Sequence, residues 1–109
     1  MKRTLMLVVV PLVASAAIAN PAHDKLSSLS EPECAAMLAK LLQASGEQCS
    51  SVSRTFFQGR DGDGNAYWNV VCAKGTSYSI RVDNNATGST RITDCDVLKR
   101  VGAPCFKSF

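Results

Sequence analysis

Five cysteines, at positions 34, 49, 72, 95 and 105, constrain this chain more than any other feature of it. A domain of about 90 residues buries only a modest core, and disulfides are the usual supplement where the compartment is oxidising. Five is an odd number, so at least one thiol has no partner within the chain. No C-x-x-C pair occurs, which argues against a thioredoxin-type redox pair, a paired zinc knuckle and a c-type haem attachment.

The N-terminus points to such a compartment. Lys2 and Arg3 precede an uncharged apolar run from Leu5 to Ile18, which ends in the small-x-small triplet Ala17-Ile18-Ala19. Residues 1–19 therefore read as a secretory signal peptide, with Asn20 as the new N-terminus. The run is shorter than the roughly 20 residues a membrane span needs and contains Pro11. No cysteine follows the cleavage site, so no lipid attachment is expected. The expectation is a periplasmic or secreted protein without a membrane span. The sequence carries 12 Lys+Arg and 9 Asp+Glu; setting aside Lys2 and Arg3 leaves ten against nine. A nearly neutral chain does not fit a nucleic-acid-binding surface.

Within the remaining chain, Tyr78, Ile80 and Val82 alternate with Ser77, Ser79, Arg81 and Asp83, the period-2 pattern of a strand with one dry and one wet face. Before them, Trp68, Val70 and Cys72 share a face. Lys74-Gly75 is expected to join the two runs as a two-residue hairpin turn. Ser51 to Gln58 reads as an earlier strand, in which the adjacent Phe56 and Phe57 imply cover on both faces or a bulge. Asp83 to Gly88 forms a turn, and Ser89 to Thr93 a short fourth strand with Ile92 inward.

A helix is expected from Ser30, with Ser30 and Glu33 as a capping box and Pro32 in the first turn. Its apolar stripe is Cys34, Met37, Leu38, Leu41 and Leu42, and Gly46 stops it. Asp94 caps a short C-terminal helix that Gly102 ends. Residues 20–29 are polar, hold the only histidine, His23, and read as a flexible arm. The fold class is thus α+β: a helix over a four-stranded antiparallel meander within a single domain 30–109, with a short C-terminal helix and disulfide bridges.

Strand direction then places Cys49, Cys72, Cys95 and Cys105 at one end of the sheet and Cys34 at the other. The expected bridges are Cys49–Cys72 and Cys95–Cys105; Cys34–Cys49 is the competing pair. Cys34 is then a core residue, a reactive thiol near a helix start, or an intermolecular bridge.

The other candidate residues have two readings each. Asp61, Asp63 and Asn65 match the start of a calcium loop, but Ala66 and Cys72 stand where glycine and a bidentate acid belong; a Gly/Asp-rich turn is the simpler account. Asn85-Ala86-Thr87 is a glycosylation sequon or plain turn chemistry. Arg81 and Arg91 fall on neighbouring wet faces, an anion contact or a solvated surface. Tyr67 and Trp68 point to opposite faces, so one faces the helix and the other, beside Phe57, would form an exposed aromatic patch for a partner. No catalytic constellation can be assembled around the lone His23, so no enzyme and no cofactor are expected.

The spacing Y-W-x-V-x-C, then G-x-x-Y-x-I, then D-C-x-x-L…G-x-x-C-F resembles a set of small cysteine-containing exported proteins of proteobacteria, over Cys34 to Phe109. The resemblance implies an exported, disulfide-framed helix-and-sheet fold and transfers no functional residue. The layout also looks like periplasmic helper folds that bind proteins. The functional expectation is a small exported binding domain, monomeric or weakly dimeric, that contacts another envelope protein through the sheet. A weak calcium or anion module at residues 61–65 is the alternative.

Overall fold

The computed structural model describes residues 20–109; the signal peptide expected over residues 1–19 lies outside them. The elements are α1 (Pro21–Ser28), α2 (Glu31–Ala44), β1 (Val52–Arg60), β2 (Ala66–Cys72), β3 (Ser77–Val82), β4 (Thr90–Asp94) and α3 (Cys95–Arg100). The strands form one antiparallel sheet in the order β1-β2-β3-β4.

Helix α2 starts as its sequence dictates. The Ser30 hydroxyl accepts from the Glu33 N–H, and the Glu33 carboxylate accepts from the Ser30 N–H, so two otherwise orphaned donors are satisfied. Its buried side is Cys34, Leu38, Ala39 and Leu42, with Leu41 at the margin. Met37 is 40% exposed, contrary to its expected place in the stripe. The helix rests on β1 along the i, i+4, i+8 line of 34, 38 and 42, and Met37 falls on the flank of that line.

The register puts Trp68 opposite Ile80, Val70 opposite Tyr78 and Ala66 opposite Val82. All six face the helices and are buried with Leu38 and Leu42. Strand β1 is bulged between Val52 and Arg54 and again between Phe57 and Gly59. Phe57 therefore pairs with Trp68 on the helix side, while Phe56 pairs with Asn69 on the other. The β2–β3 connection is longer than a two-residue turn. Cys72 and Thr76 close it, Gly75 donates to the Cys72 carbonyl, and Gly75 has φ +92°. A β-turn followed by a left-handed glycine is the standard three-residue hairpin, and it gives the twist that closure between Cys72 and Thr76 requires.

Disulfides join Cys49 to Cys72 and Cys95 to Cys105, with Cα atoms 5.4 and 5.8 Å apart, and Cys34 is free and buried. Both bridges flank the 73–76 turn, since Lys74 and Thr76 border a surface hollow beside each. The thiols do gather at one end, as strand direction requires.

Residues 20–29 are not an arm but a docked helix. Asn20 caps α1 by accepting from the His23 N–H, and its Nδ2 donates to the carbonyls of Gly64 and Val82 at 3.1 and 3.0 Å. Asn20, His23 and Leu26 are buried. A Cβ on Gly88 would lie 2.8 Å from the Ala22 Cβ, so this glycine admits the helix. The signal for α1 is Asn-Pro, a cap followed by a first-turn proline. Its apolar stripe is too sparse to show periodicity.

Candidate functional site

The sheet face away from the helices is not open. The segment after α3 folds back over it and is held by a buried amide pair. Asn69, fully buried, accepts from the Phe106 N–H at 2.7 Å and donates to Gln58 Oε1 at 3.2 Å. Gln58 donates through Nε2 to the carbonyls of Pro104 and Lys107, each at 3.1 Å, and its own carbonyl accepts from the Phe109 N–H. Gln58 reaches this position because it is the residue skipped at the second bulge of β1. Gly59, at φ +141°, leaves room for Phe109: a Cβ there would meet the ring at 2.8 Å. Aromatic contacts complete the cover, Phe56 on Phe106 and Tyr67 edge-on to Phe109, with Arg54 over the Phe106 ring.

Between this folded-back segment and strands β3 and β4 lies a cleft of about 430 Å³. Arg81, Arg91, Ser79, Thr93 and Tyr67 come from the sheet; Leu98, Pro104, Lys107 and Phe109 come from α3 and the segment after it. The walls hold three basic side chains and no acidic side chain. Arg81 and Arg91 are direct cross-strand partners, as their expected neighbouring faces implied. Arg81 donates through Nε to Asp83 at 2.6 Å. Burial works against the Asp83 charge, but hydrogen bonds from Arg81 and Ser89 outweigh it and hold the carboxylate below its ordinary range. Burial and the hydrogen bond to Asp61 raise the Tyr67 hydroxyl above its ordinary value, so it stays a neutral donor.

The other candidates are distributed differently from the expectation. Trp68 faces the helices and is buried, with Phe57 against it at 5.2 Å between ring centroids. Tyr67 lies on the opposite face beside Phe109. The exposed patch of Tyr67 and Phe57 does not form, because register places Phe57 on the Trp68 side. Asp61, Asp63 and Asn65 form a closed turn. Asp61 accepts from the N–H groups of Asp63 and Asn65, from Asn65 Nδ2 and from the Tyr67 hydroxyl. Asn65 Oδ1 accepts from the Asn84 N–H. The side-chain oxygens of Asp61 and Asn65 that a calcium ion would use are engaged by internal donors, and Asp63 joins the turn through its backbone N–H and carbonyl.

His23, which had no expected role, and Cys34, which had three, each occupy a defined environment. His23 Nδ1 accepts from Trp68 Nε1 at 3.0 Å, leaving the proton on Nε2, toward Ser27 Oγ at 3.3 Å. The ring stacks on Phe57 at 4.7 Å. Burial, then the Arg60 charge, lower the His23 pKa, with Asp24 opposing. A folded-state pKa below the unfolded value means the unfolded chain takes up the proton first. The stabilisation is therefore complete above about pH 6.5 and is lost as pH falls through the folded value. Urea titrations between pH 7.5 and 5 should show stability falling more in the wild type than in His23→Gln. Asp61 and Asp83, also lowered by their hydrogen bonds, titrate below that window. The second residue is Cys34, which borders a hollow with Leu26, Glu31 and Trp68. Burial, then the Glu31 charge, push its thiol above the ordinary value, which is the opposite of activation. It is a core residue.

Among the described residues, no helix is long and apolar enough to cross a membrane. No protein-family model, curated protein or solved structure matches the chain. The fold and site define a disulfide-braced α+β domain whose polar sheet face carries a basic cleft.

Proposed function

We propose that this chain is an exported binding domain and that it contacts another envelope protein at the cleft between β3, β4 and the segment after α3. Two disulfides fit an oxidising compartment, periplasmic or extracellular. The observation that carries the assignment is the way the cleft is built. Its far wall is held by the buried Asn69–Gln58 pair and by the Cys95–Cys105 bridge, so convergent polar groups stand on a rigid frame. A network of buried amides is costly unless fully satisfied, and this one is satisfied. It fixes a segment that a core of this size would otherwise leave loose.

Thr93→Trp tests the assignment. Thr93 is half-buried on β4 and borders the cleft, so an indole there fills the opening without entering the core. Crosslinking of the mature protein in envelope extracts should yield a discrete partner with the wild type and lose at least ten-fold of it with Thr93→Trp. Unchanged capture by the filled variant would remove the cleft from the function.

A further inference from the structure

We infer that the cleft recognises an acidic segment of its protein partner, a carboxylate side chain flanked by an apolar one. This rests on the reading above that the cleft is the contact site. Arg81 and Arg91 stand directly opposite each other on adjacent strands, an arrangement that is unfavourable between like charges. Lys107 adds a third base from the opposing wall. Asp83 engages Arg81 through Nε, and Asp61 is occupied by the Tyr67 hydroxyl and its own turn. Among the described residues, the side chains of Arg91 and Lys107 make no hydrogen bond or ion pair, and Arg91 meets Asp83 only through space. A carboxylate placed between the two guanidinium groups would accept charge-assisted hydrogen bonds and relieve their repulsion.

The remaining walls define what accompanies the charge. Leu98, Ala103, Pro104 and Phe109 offer an apolar surface beside the bases, and Phe109 is 69% exposed, with ring area left to cover. Hydroxyls of Ser79 and Thr93 add neutral donors, while the Tyr67 hydroxyl is committed to Asp61. A segment of chain is favoured over a free small molecule by position. The sheet ends at β4, so the cleft runs out to a terminal strand, along which an extended segment can lie while its side chains reach inward.

The test uses the mature protein and a dye-labelled, end-capped hexapeptide with one glutamate between two phenylalanines, followed by fluorescence anisotropy. The glutamate peptide should bind, its glutamine counterpart at least ten-fold more weakly, and binding should weaken as salt rises. Arg91→Gln, an exposed position, and Lys107→Gln should each weaken the glutamate peptide several-fold and leave the glutamine peptide unchanged. Equal binding of the two peptides, or indifference to Arg91→Gln in a variant that melts like the wild type, overturns the inference. Competition by 3-phenylpropionate as effective as by unlabelled peptide assigns the cleft to a small carboxylate and also overturns it. If neither peptide binds while Thr93→Trp still abolishes partner capture, the acidic specificity falls and the binding site stands. If Thr93→Trp leaves capture unchanged, the site itself falls.

Discussion

Trp68→Ala should destabilise the protein by about 3–5 kcal/mol, the usual cost of emptying a buried indole site. That is a large part of the roughly 5–15 kcal/mol available to a domain. Trp68 is 8% exposed, lies in the core with Val70 and Ile80, and touches both His23 and Phe57. Its removal also leaves His23 Nδ1 without a donor, so α1 loses one of the bonds that tie it to the sheet. Urea denaturation followed by far-UV circular dichroism measures the loss. Trp68→Phe separates the two contributions: it keeps most of the packing and should cost about 1 kcal/mol for the hydrogen bond, beyond a modest volume term. Loss of partner capture by Trp68→Ala would accordingly report unfolding rather than a missing contact surface.

Replacing Cys49 and Cys72 together by alanine should cost about 3 kcal/mol, within a range of roughly 2–5. The bridge closes a loop with a sequence separation of 23 and ties the chain after α2 to the end of β2, at the first bulge of β1. Without it the denatured chain gains that loop entropy, and the register of Val52 against Cys72 loses its covalent anchor. Thermal or urea denaturation of the double variant against the wild type measures the effect. A loss below about 1 kcal/mol would mean that the bridge adds little to what α2 and the sheet already impose. The Cys95–Cys105 bridge spans a separation of only 10 and holds the segment that walls the cleft, so its removal should affect binding more than global stability.

Much of the architecture was legible in local chemistry. The Ser30–Glu33 capping box, the alternation from Tyr78 to Val82 and the Asp94 cap are short-range signals, and each produced the element it implies. Strand direction favoured Cys49–Cys72 and Cys95–Cys105 over the competing Cys34–Cys49, and the structure decides for the first two, with Cys34 free. The docked α1 was missed because Asn20 and His23 are polar. Their burial depends on partners 44 to 62 residues away, the carbonyls of Gly64 and Val82 and the indole of Trp68. Asn69 and Gln58 were missed for the same reason. Asn69 occupies a face that alternation assigns to solvent, and nothing local announces that residues 104–109 return to cover it.

Periodicity and caps therefore determined α2, the four strands, α3 and their order, and cysteine spacing narrowed the covalent frame, because each depends on neighbours along the chain or on the direction of consecutive strands. Tertiary structure alone decided which polar side chains are buried, how the aromatic residues divide between the two faces, and that Arg81, Arg91 and Lys107 border one cleft. The bulges in β1 explain the difference. Each shifts one residue across the sheet through its pairing with β2; the adjacent phenylalanines hinted at a bulge, but only the pairing fixes where it falls and which side chain it turns over.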